Sequence, residues 1–378
     1  MINLVSNANV LINSFLEARK NSSFKNSVQQ YEINLLRNVR RTQKELCSGT
    51  YCQDVFYNFF LNERGKERYV RSICIYDRVI QRALCDQLCK IVNPLLIYDN
   101  GASVKNKGIH FTRRRVETHL YKYYRRYGCD GYALLIDFKK FYDNIEHDKL
   151  IDMYRGLVDN NTLLLIEHLI RSFKMDISNY DIKDGEPFDS LDYAKSKCIK
   201  DGTKYLNKSL GIGSQISQIS ALYYPHKIDN YCKIVKGIKY YGRYMDDTYI
   251  ISNSKEELKS ILNDIEIIAN GLGIFINKKK THIFKLNKGF TFLKIRYRLT
   301  NSGHVIKKYD KGNIVRERRN LKRFKEFYDK GEMKLKDIER QYKAWRGNIL
   351  KCNSYYAIQN MDKLYNSLFK NQKENCDL

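Results

Sequence analysis

Two adjacent carboxylates, Asp246 and Asp247, sit between β-prone stretches in Gly242-Arg243-Tyr244-Met245-Asp246-Asp247-Thr248-Tyr249. Upstream runs Ile234-Val235-Lys236-Gly237-Ile238-Lys239-Tyr240-Tyr241, and downstream Thr248-Tyr249-Ile250-Ile251. Two strands around a tight turn predict a β-hairpin with the acidic pair at or near its tip. Neighbouring negative charges repel, so the arrangement calls for a compensating cation. Mg²⁺ suits it, being a hard ion that takes carboxylate oxygens and keeps positions open for phosphate. The plain alternative is a solvated turn, because Asp is common in turns.

A second carboxylate site narrows the choice. The apolar run Tyr132-Ala133-Leu134-Leu135-Ile136 predicts a buried strand that delivers Asp137 at its C-terminal end, followed by Phe138, Tyr142 and Asp143-Asn144-Ile145. Alone, Asp137 reads equally well as a strand-end cap. The charge of the chain favours the functional alternative. With 68 Lys+Arg against 42 Asp+Glu, the formal net charge of +26 implies an extended polyanionic partner, nucleic acid first. The 30 tyrosines and 17 phenylalanines interleaved with the cations suit base stacking beside phosphate contact, although most should be core.

Other segments add phosphate-binding features. Tyr69 to Ile75 alternates like a strand after the turn residue Gly65, and a helix starts near Asp77. Lys66, Arg68 and Arg71 then cluster on or beside a hairpin that can take a triphosphate, or form an exposed charged edge. Residues 101–126, with Lys105, Lys107, Arg113, Arg114 and Arg115, form a basic loop running into a helix. Gly211-Ile212-Gly213-Ser214 opens a helix expected to run to about Tyr231, with Ser217 and Gln218 on it. Residues 172–208 are polar and lack apolar period, as an insertion or long loop would. Ser254 to Gly271 is an amphipathic helix, Phe290 to Arg298 a hairpin, and Lys307 to Lys351 a set of basic helices. Residues 1 to about 50 are helical and basic, and could lie on nucleic acid or on the body of the fold.

Ten scattered cysteines include no C-x-x-C, which points away from zinc and a disulfide framework and towards free thiols. The N-terminus lacks a signal-peptide layout, and no apolar run approaches a membrane span. A cytoplasmic enzyme, with no membrane partner, is expected.

In this order the blocks resemble the reverse transcriptases of bacteria and phages. Tyr244-Met245-Asp246-Asp247 looks like their Tyr-x-Asp-Asp box, and Asp137 falls where they keep their first aspartate. Gly65 to Gln81 is similar to the fingers of group II intron reverse transcriptases, with matching spacing from Arg68 to Asp77-Arg78. Ser217 through Asp229, including His226, Gly273 to Thr281, and Gly289 to Leu293 match further blocks. The resemblance covers roughly residues 55 to 360.

It implies an α+β right-hand polymerase fold. The N-terminal basic extension is then 1–54, the fingers 55–130, the palm (an antiparallel sheet backed by helices, with the insertion) 131–299, and a helical thumb and tail 300–378. Asp137, Asp246 and Asp247 would hold two Mg²⁺ ions, with Mn²⁺ able to substitute, and Lys280 would protonate pyrophosphate. Lys66, Arg68, Arg71, Phe138, Tyr142, Ile212, Gly213 and Gln218 would surround the incoming dNTP, with Asn277 lining the same pocket. Tyr142 would exclude a 2′-hydroxyl. Arg78, Arg113, Tyr244, Met245, Lys294 and Arg346 would touch an RNA template and a DNA or RNA primer.

Two departures are informative. Most of these enzymes carry Gln-Gly-x-x-x-Ser-Pro, whereas this chain has Ile212-Gly213-Ser214-Gln215-Ile216-Ser217-Gln218. That variant, and the thumb around Trp345-Arg346-Gly347 and Asn353-Ser354-Tyr355, are similar to the reverse transcriptases of diversity-generating retroelements. Those copy a template-repeat RNA with errors at adenines and use a small basic accessory protein; a structured non-coding RNA is the other partner to expect. Lys294 stands where glycine commonly follows Phe-Leu. The alternatives are an antiphage defence reverse transcriptase, a non-catalytic nucleic-acid-binding protein, and an RNA-dependent RNA polymerase, which Tyr142 and Met245 disfavour.

Overall fold

The computed structural model describes residues 1–53, 56–63, 66–176 and 205–370. Gly65, the Lys66 side chain and most of the expected insertion, 177–204, lie outside the described residues. Helices and antiparallel strands mix throughout, as the sequence pattern predicted. The chain divides into two compact units. One comprises Met1–Thr112, Ile136–Thr248 and Lys259–Thr281; the other comprises Arg113–Leu135, Tyr249–Leu258 and His282–Leu378.

The first unit opens with helices α1 (Ile2–Val5), α2 (Ala8–Ala18), α3 (Asn26–Ile33) and α4 (Leu35–Ser48). Asn7 caps α2 by accepting from the Asn9 and Val10 amides at 3.0 and 3.4 Å, and Gly49, at φ 68°, ends α4. Val5, Leu11 and Phe15 are fully buried, and α2 packs on α5 (Ile75–Val92). The N-terminal segment therefore sits on the body of its own unit. Its basic residues Arg37, Arg40, Arg41 and Lys44 stay on the exposed side of α4.

Strands β1 (Tyr57–Glu63) and β2 (Lys66–Ser72) form the expected hairpin, in register from Tyr57↔Ser72 to Glu63↔Lys66. The first turn of α5 carries a buried Asp77, which accepts from the Tyr51 hydroxyl at 2.7 Å. Helix α6 (Ile109–Tyr127) precedes strand β3 (Tyr132–Ile136), which is followed by short helix α7 (Phe141–Asn144), α8 (His147–Arg155), α9 (Asn160–Arg171) and the paired strands β4 (Met175–Asp176) and β5 (Tyr205–Leu206). Residues 207–210 are stitched to this region by His147 N–H to Asn207 O, Ser209 N–H to Ile145 O and Leu210 N–H to Tyr142 O, at 2.9 to 3.0 Å.

Three expectations need correction. The helix from Gly213 does not reach Tyr231: it spans Gln215–Tyr223, and Pro225 starts a separate helix His226–Asn230, because proline has no amide to continue the ladder. The Ile234–Tyr241 run is not a strand. Tyr231–Val235 is a π-helical turn, Gly237 at φ 61° breaks the chain, and strand β6 covers only Tyr241–Tyr244. The basic segment from Lys307 is not all helix, since β11 (Val305–Tyr309) precedes the helices Lys311–Asp329 and Leu335–Ile349.

The hairpin β6–β7 (β7, Asp247–Ser252) belongs to a four-stranded sheet of order β6-β7-β3-β8, with β8 at His282–Lys285. In the second unit, β9 (Phe290–Phe292), β10 (Ile295–Leu299) and β11 form an antiparallel sheet of order β11-β10-β9. The C-terminal helices close on a core of Leu321, Ile338, Tyr342, Met361, Tyr365 and Phe369, in which Tyr342 and Tyr365 stack at 4.4 Å.

Candidate active site

The site grows from two chain reversals in the first unit. Asp137 leaves β3 directly, and its backbone is fixed to the segment before Thr281. Asn277 N–H donates to Asp137 O at 2.8 Å, and the Asp137 amide donates to Thr281 Oγ1 at 3.3 Å. The Asp137 carboxylate accepts from Asn277 Nδ2 at 3.0 Å and lies 3.4 Å from Lys280 Nζ. Asp246 occupies the second position of the two-residue turn between β6 and β7, after Met245 at φ 55°, and Asp247 opens β7.

A buried ion pair holds this turn. Arg243 and Asp229 are both about fully buried. The Arg243 guanidinium grips Asp229 through Nε (2.9 and 3.0 Å) and Nη2 (2.6 Å), then donates to Met245 O at 3.0 Å and Leu222 O at 2.9 Å. Tyr241 donates to the same carboxylate. One guanidinium thus ties the hairpin turn to the helices behind it, and removing one member of such a pair costs about 3–5 kcal/mol. Asp229 was part of a recognised block, but nothing in the sequence distinguished Arg243 from the other cations.

Electrostatics bring the expected residues together. Burial raises the Asp246 carboxyl above its ordinary value, and the negative charge of Asp137 raises it further; Arg68 and Lys280 pull the other way. Burial pushes the Tyr142 phenol up to about 12, with Asp246 adding and Arg68 opposing. Asp137, Asp246, Tyr142, Arg68 and Lys280 therefore share one electrostatic neighbourhood. Among the described residues, no three His, Cys, Asp or Glu side chains already form a metal cage. The donor set nevertheless fits a hard cation: the charge of Asp137 raises the cost of ionising Asp246, and the two carboxylates offer oxygen ligands.

The neighbouring backbone is closely fitted. Val70 and Ile212 form a parallel bridge, with Arg71 N–H donating to Ile212 O at 2.9 Å. Gly213 has φ 116°, and a Cβ there would lie 3.0 Å from Arg71 O. Gln218 is exposed on its helix, and Tyr244 ends β6.

Several expected contacts are differently engaged. The Phe138 ring is core, 5.9 Å from Phe141, which leaves only its backbone beside Asp137. Arg71 is on the opposite face of β2 from Arg68 and donates to Lys174 O. Arg78 donates to Ile73 O at 3.3 Å. In the second unit, Arg113 is buried with Nε and Nη2 on Leu293 O at 3.1 and 2.6 Å. Lys294 is a turn residue at φ 68°, and Arg346 makes a two-pronged pair with Asp362 at 2.9 and 3.0 Å. A cation's charge is visible in sequence; the carbonyl, ring or carboxylate that engages it is not.

A family model described as reverse transcriptase (RNA-dependent DNA polymerase) matches residues 61–297, more than half of the chain. The protein belongs to this family. It is an RNA-directed DNA polymerase, a nucleotidyltransferase acting on a nucleic-acid template and primer with nucleotide substrates. Enzymes of this family generally use divalent metal ions, typically Mg²⁺. No curated protein matches the chain. No helix of the described residues is long and apolar enough to cross a membrane.

Proposed function

We propose that this reverse transcriptase serves a diversity-generating retroelement and copies its RNA template with errors concentrated at adenines. The observation behind the catalytic part is the shared neighbourhood of Asp137, Asp246, Tyr142, Arg68 and Lys280. The retroelement part rests on Ile212-Gly213-Ser214-Gln215-Ile216-Ser217-Gln218, where isoleucine replaces a side chain that can hydrogen-bond.

In this proposal the residues before about 130 are fingers, the β6-β7-β3-β8 sheet is the palm, and the C-terminal helices are the thumb. Asp137 and Asp246 would hold divalent ions, with Asp247 beside them. When bound, such ions favour loss of the primer 3′-hydroxyl proton and stabilise the departing pyrophosphate. Arg68 and Lys66 bind the triphosphate. Lys280, already against Asp137, donates a proton to pyrophosphate. Asn277 holds the Asp137 carboxylate in its rotamer. The Tyr142 ring excludes the 2′-hydroxyl of a ribonucleotide by volume; its phenol, held protonated, adds no charge there.

Primer extension on a defined RNA template, followed by product sequencing, tests all of this. Wild-type protein is expected to incorporate dNTPs over rNTPs and to misincorporate mainly opposite template adenine. Ile212→Gln is expected to lower that adenine error several-fold. Errors spread evenly over the four template bases, or unchanged in Ile212→Gln, would remove the retroelement assignment and leave the polymerase.

A further inference from the structure

Polar side chains inside the first unit are joined in a chain. Ser214 Oγ, at the head of the helix Gln215–Tyr223, donates to Gln81 Oε1 at 2.7 Å, and Gln81 Nε2 donates to Gln53 Oε1 at 3.0 Å. Gln53 Nε2 donates to Ser172 Oγ at 3.2 Å, and that hydroxyl donates to Leu169 O at 2.6 Å. The Gln53 backbone amide donates to His168 Nε2 at 3.0 Å. Gln81 and Ser214 are only 0% and 1% exposed. The chain therefore ties α5, the end of α9 and the segment ahead of β1 to the loop Gly211–Ser214.

Burying a glutamine is costly unless both ends of its amide are met, and an aliphatic side chain of the same length would fill the space more simply. What the amide adds is direction. Turned over singly, Gln53 or Gln81 would set like against like, so each holds the next in one orientation. The last link lies two residues from Ile212. On its other flank the loop is fixed to β2, where Ile212 O accepts from the Arg71 amide at 2.9 Å. A Cβ on Gly213 would press on Arg71 O, and one on Gly211 would strike the Phe173 ring. Ile212 is thus set between α5, β2 and the end of α9.

We propose that Gln81 is a positioning residue for base selection: through Ser214 it fixes Ile212 against the nascent base pair, and Gln53 and Ser172 hold Gln81 in turn. It acts without touching the nucleotide itself. The proposal rests on the reading that Ile212 packs on that pair. Packing selects by shape alone, so its precision is that of the loop, and the loop's precision is that of the groups behind it. A loop freed from Gln81 would accept mispairs opposite any template base and hold the correct dNTP less tightly.

Steady-state primer extension by the full chain on a defined RNA template tests this. Gln81→Met and Ser214→Ala are each expected to raise KM for the correct dNTP about fivefold, with kcat within about twofold of wild type. Misincorporation should rise by a similar factor opposite all four template bases. The double variant should be no worse than either single one, because the same link is lost in each. Leu11→Ala, which opens a cavity on the buried face of α2, is the stability control. It should lower Tm at least as much and leave KM and error frequency unchanged. Ser214→Ala, the smaller truncation, carries the test if Gln81→Met does not fold. Wild-type KM and errors in Ser214→Ala, equal changes in Leu11→Ala, or additive changes in the double variant would overturn the proposal. If Ile212→Gln also leaves KM and errors as in wild type, the placement of Ile212 fails with it; if Ile212→Gln moves them and Ser214→Ala does not, only the link to Gln81 fails.

Discussion

Asp246 is a residue whose function sets its stability cost. Burial and Asp137 raise its folded pKa above the unfolded value, so the folded state binds the proton more tightly. Its penalty is absent well below the ordinary carboxylate range and appears as pH rises through and above it. Asp246→Asn is therefore expected to abolish primer extension while raising the Tm of metal-free protein at pH 7–8, a gain that shrinks as pH is lowered towards 4; a lower Tm at neutral pH would contradict this. His147 behaves oppositely. Burial, with help from the Arg171 charge, lowers its pKa from 6.5 to about 4, and the ring sits 2.6 Å from Ser209 O. Its stability contribution is fully present above pH 6.5 and is lost between 6.5 and 4, on the order of 3 kcal/mol in all. Denaturant unfolding of His147→Gln should show a correspondingly flatter acid limb. The proposed catalytic carboxylates stand out in the sequence because their spacing carries chemistry; His147 does not, because nothing local announces that residues 207–210 will bury it.

At the scale of elements, the turn Leu293-Lys294 combines two non-glycine residues at φ 46° and 68°. Two positive φ values match the type I′ hairpin turn that Asn-Gly fits best. Leu293→Asn/Lys294→Gly is expected to stabilise the second unit by about 1 kcal/mol, measured as a rise in denaturant midpoint at constant slope; no change would mean that other contacts already repay the strain. The same contrast governs what could be read in advance. Strands β3 and β7 were clear from their apolar runs, and the helix Lys255–Gly271 from its stripe. The π-helical turn at Tyr231–Val235 was misread, since a short β-branched run fits a strand or a helix equally and only its surroundings choose. Pro225 separates the two helices although the apolar stripe continues on both sides of it, and that stripe is what suggests a single helix.

For the whole molecule, the net charge of +26 sets the terms of binding. Part of that charge is already engaged by the protein itself: Arg113 and Arg243 are buried, and the half-exposed Arg346 pairs with Asp362. Exposed cations such as Arg37, Arg40 and Lys44 on α4 should act on phosphate alone. Affinity for primer–template is expected to fall about 10³-fold between 50 and 200 mM salt if six or more phosphates are neutralised. Fluorescence anisotropy across that range checks it, and a slope near zero would mean that the surplus charge serves another partner.

The buried Arg243–Asp229 pair has a consequence for telling live enzymes from silent ones. A chain can keep every acidic side chain at the centre and still be inert if the clasp behind Met245 is lost. Inventories of intact aspartates would then count pseudoenzymes as polymerases, and residue 229, wholly buried behind the turn, becomes the position to inspect first.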